Sequence, residues 1–138
     1  MPYAGSCLCG EVRFHIESEL EPIQLCYCAQ CRKAHGGPFA AVVPVAVSEF
    51  RLLSGAQSLK AYESSPGKER VFCSNCGSPV YSRRASLPSV LRVRAGLIDE
   101  PIAAKPAWHA HVNSRCSWWS IDDGLPQHRE GYAPPSAA

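Results

Sequence analysis

Seven of the eight cysteines in this 138-residue chain fall into three short groups, and this clustering most constrains how the chain can fold. The groups are Cys7-x-Cys9-Gly, Cys26-x-Cys28-x-x-Cys31 and Cys73-x-x-Cys76-Gly, and Cys116 stands alone. Thiols packed this densely, in a chain that begins with no recognisable export signal, are more often metal ligands or redox groups than disulfides. We therefore expect reduced cysteines that bind metal.

The remaining composition is that of an ordinary globular protein, with 46% apolar and 19% charged residues. Twelve prolines and ten glycines favour a turn-rich, mostly β chain. A net charge of +2 is too small to favour nucleic acid or an acidic membrane surface as a partner. No apolar run has membrane-spanning length. We expect a cytoplasmic protein that binds neither nucleic acid nor membrane.

Short alternating segments predict a mainly β fold. Val12, Phe14 and Ile16 share one face of a predicted strand. Further candidate strands cover residues 24–28, 39–47, 50–53, 59–62, 69–72, 80–83, 90–94 and 108–112. No ten-residue segment has convincing helical periodicity. The sequence predicts one domain over residues 1–126 and a flexible tail over residues 127–138.

The first and third cysteine groups together predict a closed metal site. C-x-x-C-G is the spacing of a zinc knuckle, which supplies two of the four ligands that a structural zinc needs. Cys7 and Cys9 are two residues apart, so on an extended backbone both side chains leave the same face and can supply the other pair. The alternative, a thioredoxin-like redox pair at Cys73 and Cys76, lacks the βαβ surroundings of that motif.

The middle group predicts a second metal site of a different kind. Cys26, Cys28 and Cys31 supply three thiolates, and three protein ligands with an open fourth position are typical of catalytic zinc. Three thiolates leave a net charge of about −1, a state better suited to holding a substrate sulfur as thiolate than to strong Lewis acidity. The alternative is a second structural site that takes a fourth ligand from Cys116 or a histidine.

Basic residues beside this group are candidate substrate-binding residues. Arg32 and Lys33 follow Cys31 directly and can attract an anionic ligand. His109 and His111 alternate on a predicted strand and so are expected to face the same side. We take Arg32, Lys33 and His109 as candidates for orienting a substrate.

Four ordered segments between Ser6 and Pro126 resemble the glutathione-dependent formaldehyde-activating enzyme family, whose domain is shared with centromere protein V. The segments are SCLCG, CYCAQCRK, FCSNCGSP and HAHVNSRCSWWSIDDGLP. The resemblance implies a β-tent fold of short antiparallel sheets pinned by zinc knuckles, with two zinc ions (Zn2+) per chain. It implies structural zinc at Cys7, Cys9, Cys73 and Cys76, and zinc with an open position at Cys26, Cys28 and Cys31.

The activity implied by this resemblance joins the thiol of glutathione to formaldehyde, giving S-(hydroxymethyl)glutathione, and is classed as a carbon–sulfur lyase for the reverse direction. Three residues depart from the family pattern. Tyr27 stands at a frequent histidine position, Cys116 at an alanine position, and His111 at an aromatic position. We expect a zinc-dependent carbon–sulfur lyase acting on a small thiol and a small aldehyde. The alternative is a non-catalytic, zinc-scaffolded binding module, which the lack of an obvious general base beside the cluster favours.

Overall fold

The computed structural model describes residues 2–131 and confirms the prediction of a mainly β chain. The strands are β1 (Tyr3–Ser6), β2 (Arg13–Ile16), β3 (Ile23–Cys26), β4 (Ala40–Ala46), β5 (Phe50–Ser54), β6 (Leu59–Ser65), β7 (Lys68–Cys73), β8 (Pro79–Arg84), β9 (Leu87–Arg94) and β10 (Pro106–Ala110). Within the described range there is one α-helix, α1 (Ala29–His35). Four 3₁₀ turns lie at Val47–Glu49, Ala56–Ser58, Ala95–Leu97 and Val112–Ser114. The chain divides into two compact units.

The first unit comprises Met1–Glu21 and Val42–Ala104 and is built from antiparallel strands. One sheet has the order β1-β2-β5, and in the other β4 pairs with β9, followed by β8, β7 and β6. The hairpin from β6 to β7 pairs Ser65 with Lys68 and turns through Gly67, which has a positive φ. Short hairpins of this kind keep successive strands adjacent and antiparallel.

The core of the first unit contains the face that alternation predicts on β2. The side chains of Val12, Phe14 and Ile16 are fully buried. The ring of Phe14 stacks on that of Phe50 with their centroids 4.9 Å apart. Gly5 on the neighbouring strand faces the same ring, and a β-carbon added there would lie 2.2 Å from it. Only glycine leaves room for this packing.

The second unit comprises Pro22–Ala41 and Lys105–Ala138 and is centred on a parallel pair of strands. β3 and β10 run parallel, with Leu25 opposite His109 and Cys26 opposite Ala110. This pair is parallel, whereas the paired strands of the first unit are antiparallel. Parallel pairing requires a long connection, and the strands of the first unit lie between β3 and β10 in the sequence. Leu25, Tyr27 and Val112 form a buried apolar cluster beside it.

Helix α1 is the element that periodicity does not predict. It has seven residues, fewer than two turns, too short to show a helical hydrophobic pattern. Its ends are well defined, because Cys28 is the N-cap and Gly36 adopts a left-handed conformation at the C-cap. Across residues 2–131, no helix combines the length and apolar character needed to cross a lipid bilayer.

The segment after β10 folds back on that strand. The backbone N–H of His109 donates to Pro126 O at 2.9 Å, and that of His128 donates to His109 O at 2.8 Å. β10 ends at Ala110, and His111 adopts a left-handed conformation with φ 58°. The predicted alternation of His109 and His111 on one strand is therefore wrong, because the chain turns between them. Most of the predicted flexible tail, residues 132–138, lies outside the described residues.

Candidate metal centres

Four cysteines of the first unit converge on one point. The sulfur atoms of Cys7, Cys9, Cys73 and Cys76 all lie within 4.8 Å of one another. The Sγ of Cys9 is 3.6 Å from that of Cys7 and 3.9 Å from that of Cys73. A zinc ion with four sulfur ligands at about 2.3 Å holds them about 3.8 Å apart, whereas a disulfide requires about 2.05 Å. The spacing therefore fits a tetrahedral metal ion and no disulfide.

Tight turns place these sulfurs. Gly77 has φ 81°, and its N–H donates to Cys73 O at 2.7 Å, which closes the C-x-x-C-G knuckle. Ser78, the next residue, joins the knuckle to the Cys7–Cys9 turn, because its hydroxyl accepts a hydrogen bond from Leu8 N at 2.9 Å. The two halves of the site are thus connected by a protein contact as well as by a shared ligand position.

The thiols of this group differ in their ionisation. Burial raises the pKa of Cys73 to about 11, because the thiolate loses solvation. Hydrogen bonds from the hydroxyl and backbone of Ser78 lower the pKa of Cys76 to about 5. A divalent cation among them favours the deprotonated form of every ligand, including the buried one. The donor set therefore fits a metal ion chemically as well as in spacing.

Three cysteines of the second unit form the other group. The sulfurs of Cys26, Cys28 and Cys31 lie within 4.8 Å of one another where β3 leads into α1. The N–H of Cys31 donates to Cys28 Sγ at 3.3 Å, so the helix N-cap is itself one of the three thiols. Among residues 2–131, no further His, Cys, Asp or Glu lies close enough to these sulfurs to complete the group. Cys116, the alternative fourth ligand, belongs to neither group.

The three thiols interact strongly with one another. Hydrogen bonds with Cys28 and Cys31, together with burial, raise the pKa of the Cys26 thiol well above its ordinary value. Adjacent anionic sulfurs repel one another, so they ionise together only beside a cation. The cluster fits a bound metal ion for this reason.

The predicted substrate-binding residues occupy three different environments. The Nε of Arg32 donates to Ser114 O at 3.1 Å, which holds α1 against the segment after β10. Lys33 is exposed on α1. His109 is buried, with 2% of its surface exposed, and both ring nitrogens have hydrogen-bond partners. The placement of His109 favours a supporting role over direct contact with a substrate.

A hydrogen-bonded series extends from the three-cysteine loop, where it is buried, to an exposed carboxylate of the C-terminal segment. Tyr27 Oη lies 2.8 Å from His109 Nδ1, and His109 Nε2 lies 2.9 Å from Asp123 Oδ2. The bond to His109 lowers the pKa of Asp123 below its usual range. Sequence reasoning missed Asp123, since an acidic residue in Ile-Asp-Asp-Gly carries no signal that distinguishes it from an ordinary turn residue.

A polar cleft of about 510 Å³ lies in the same unit, and we call it the Arg115 cleft. Its polar lining consists of Asn113, Arg115, Ser117, Ser120 and Gln127, and Cys116 and Trp119 complete much of the wall. Arg115 is the one formally charged side chain among its lining residues. Ser114, whose carbonyl accepts the hydrogen bond from Arg32, lies in sequence between two of these residues, so this contact connects the segment that forms the cleft to helix α1. Sequence reasoning missed this cleft.

A mainly β chain that gathers seven cysteines into two ligand groups defines a candidate metalloprotein, since both groups can bind metal ions. The family profile described as glutathione-dependent formaldehyde-activating enzyme matches residues 2–114. A Halomonas elongata protein provisionally given that family's name is 32% identical over 126 residues, covering 86% of this chain and 80% of the relative. The chain therefore belongs to the glutathione-dependent formaldehyde-activating enzyme family.

Two further proteins are similar. An uncharacterized lyase of Schizosaccharomyces pombe is 32% identical over 79 residues, which cover 57% of this chain and 56% of the relative. A crystal structure of a Rhodobacter sphaeroides protein matches with a TM-score of 0.60 and 24% identity, covering 74% of this chain and 97% of that one. The second match shows a shared fold.

Proposed function

We propose that this chain is a zinc-dependent carbon–sulfur lyase-type enzyme that joins glutathione or a related small thiol to formaldehyde or a related small aldehyde. Family membership and the lyase named among its relatives support a lyase-type function connected with glutathione and formaldehyde. The observation that carries the proposal is the convergence of the Cys26, Cys28 and Cys31 sulfurs on one point. In this reading zinc binds both cysteine groups, two ions per chain.

The reaction is an addition that conserves every atom of both substrates. The thiol sulfur attacks the carbonyl carbon, a carbon–sulfur bond forms as the C=O π bond opens, and the thiol proton ends on the former carbonyl oxygen. Zinc at Cys26, Cys28 and Cys31 would supply a site that favours the thiolate form of a substrate sulfur at neutral pH. The protein's own residues hold the two reactants together, which is where most of the rate gain in such a facile addition arises.

The Arg115 cleft is the proposed site for the body of the thiol substrate. Its volume of about 510 Å³ lies within the range of roughly 300–1,000 Å³ for small-molecule sites. Glutathione carries two carboxylates and two amides. The guanidinium of Arg115 is suited to a carboxylate, and the side chains of Asn113 and Gln127 to the amides. The contact of Arg32 with Ser114 O would fix the position of this cleft relative to the helix that bears Cys31.

The test is exchange spectroscopy by NMR on a mixture of formaldehyde, glutathione and the zinc-loaded protein. We expect the exchange between free glutathione and its hydroxymethyl adduct to accelerate, and Cys28→Ser to abolish the acceleration while one zinc ion remains. Tyr62→Phe, at an exposed position of the first unit, is the control and should behave as the wild type. Exchange that the wild-type protein leaves at the uncatalysed rate would overturn this function and favour a non-catalytic binding module.

A further inference from the structure

We infer that Tyr27, His109 and Asp123 form a positioning triad that holds the three-cysteine loop in its metal-binding conformation. The inference rests on the proposed metal-binding role of Cys26 and Cys28, but it does not depend on which reaction the site performs. The family comparisons assign nothing to Asp123, which lies beyond the residues that the family profile matches.

The contacts of the triad have a defined direction. A carboxylate accepts hydrogen bonds only, so His109 Nε2 donates to Asp123, whose Oδ atoms lie 2.9 and 3.0 Å away. A neutral ring then carries its proton on Nε2 and leaves Nδ1 as an acceptor for the Tyr27 hydroxyl at 2.8 Å. Asp123 therefore selects the tautomer that can receive Tyr27.

Each member of the triad is also fixed elsewhere. The N–H of Tyr27 donates to Ala110 O at 2.9 Å, so its backbone and its side-chain tip are both held. The backbone of His109 bonds on both sides to the 126–128 segment. Asp123 Oδ1 additionally accepts from Leu125 N at 3.0 Å. The triad therefore connects the loop between two metal-ligand candidates to a part of the chain nearly a hundred residues away.

Burial makes these bonds consequential. Tyr27 is 1% exposed and His109 is 2% exposed, whereas the Asp123 side chain is 44% exposed, so the bond between Tyr27 and His109 is the one that bulk water cannot replace. Tyr27 stands between Cys26 and Cys28 in sequence, and in an extended segment its side chain leaves the opposite face from theirs. Its hydroxyl therefore acts on the sulfurs through the backbone of the loop, which makes the three residues positioning residues.

The experiment measures metal release from the zinc-loaded protein to a colorimetric chelator, with the phase that Cys28→Ser removes assigned to the three-cysteine site. We expect Tyr27→Phe and Asp123→Ala each to speed that phase about three- to tenfold, the effect of losing one hydrogen bond to the buried ring of His109. The double variant should fall short of the product of the two, because both changes break one connected series. Asp122→Ala, which removes a neighbouring exposed carboxylate, is the matched control.

A spectroscopic measurement separates positioning from packing. Long-range ¹H–¹⁵N spectra of the histidine rings should show the Nε2–H tautomer of His109 in the wild type and in Asp122→Ala, and a changed tautomer balance in Asp123→Ala. An unchanged release rate in Tyr27→Phe, or fully multiplicative effects in the double variant, would overturn the triad. A wild-type protein that holds no metal at Cys28 would instead remove the proposed function on which the inference rests.

Discussion

The two cysteine groups use the same thiol chemistry on different scaffolds. The four-cysteine group joins a turn at Cys7 and Cys9 to a knuckle at Cys73 and Cys76, so its members come from distant parts of the sequence. The three-cysteine group is confined to six residues at the junction of a strand and a short helix. A metal ion at the first group closes a long loop of the chain, whereas an ion at the second constrains a segment that is already local.

This difference indicates that the two groups have different roles, one in stability and one in chemistry. Closing a loop of more than 60 residues, from Cys9 to Cys73, removes much conformational entropy from the unfolded chain. The local group gains little in this way, and its conformation is supported by the N-cap at Cys28 and by the contacts of Tyr27. We therefore expect the four-cysteine group to stabilise the fold and the three-cysteine group to bind a substrate.

The largest expected effect comes from Cys73→Ser. Cys73 is fully buried, and its loss leaves three thiols and a hydroxyl around the proposed ion. Structural zinc sites are worth roughly 10–16 kcal/mol in small zinc-finger peptides, and even a fraction of that rivals the about 5–15 kcal/mol that stabilises a typical domain. We expect no cooperative thermal unfolding transition by circular dichroism and less than one zinc ion per chain at this site.

Cys116→Ser is the control for this experiment, because it also removes a cysteine but touches neither metal group. It should melt within a few degrees of the wild type. If Cys73→Ser keeps a native melting curve, the four-cysteine group has no structural role, and the comparison between the two groups fails.

The next effect in size is that of Cys28→Ser on activity. Removing one of three ligands should release the ion and lower the rate of thiol addition at least about 100-fold, since metal-derived stabilisation is worth several kcal/mol. The fold should persist, because serine is itself a favoured N-cap residue and its hydroxyl can accept from Cys31 N in place of the thiol. Metal analysis measures the release of the ion, and a urea titration of the same variant measures the free energy of unfolding. Unfolding as severe as that of Cys73→Ser would make this group structural as well.

Cysteine spacing allowed both cysteine groups to be predicted, because the short spacings of a knuckle and a C-x-C turn bring their sulfurs close together in most backbone conformations. The strand that carries Phe14 and Ile16 was predictable for a similar reason, since alternation is a local property. The parallel pairing of β3 with β10 was not, because nothing in either strand specifies its distant partner.

Helix α1 and the triad show the other limit of sequence reasoning. The helix is defined by its caps at Cys28 and Gly36, and the cysteine spacing predicts a metal ligand at Cys28 but gives no sign of its role as a cap. His109 was singled out, but its partners Tyr27 and Asp123 become neighbours only through the pairing of β3 with β10 and the return of the C-terminal segment. A long-range contact of this kind leaves no pattern in a single sequence.

A smaller, substrate-level effect is expected from Arg115→Ala. The guanidinium is exposed at the edge of its cleft, so its contact with a carboxylate is partly screened. We expect KM for glutathione to rise about five- to tenfold, with kcat nearly unchanged, and S-methylglutathione to weaken as an inhibitor by the same factor. Arg115→Lys should recover part of the affinity.

Arg51→Ala is the matched control, an exposed arginine of the first unit that should leave both constants unaltered. S-methylglutathione has no free thiol, so its binding reports on the cleft without a sulfur at the three-cysteine site. Equal affinity in Arg115→Ala and the wild type would remove the cleft from the substrate path and leave the metal proposal standing.

The smallest expected effect is on stability in acid, and it tests the contact between Asp123 and His109 without changing a cysteine. Hydrogen bonding to His109 depresses the pKa of Asp123 in the folded state, so the stabilisation by this contact is present above the ordinary carboxyl value near 3.8 and is lost as the pH falls through the lower folded value. Asp123→Asn has no ionisable carboxyl at this position, so it lacks this stabilisation at every pH. The difference in Tm between wild type and Asp123→Asn should therefore be constant above about pH 5 and narrow towards pH 3. Asp122→Asn, which alters the neighbouring exposed carboxylate, should match the wild type throughout. A difference that widens on acidification would mean that Asp123 is stabilised in its protonated form, and the directed contact from His109 Nε2 would then be wrong.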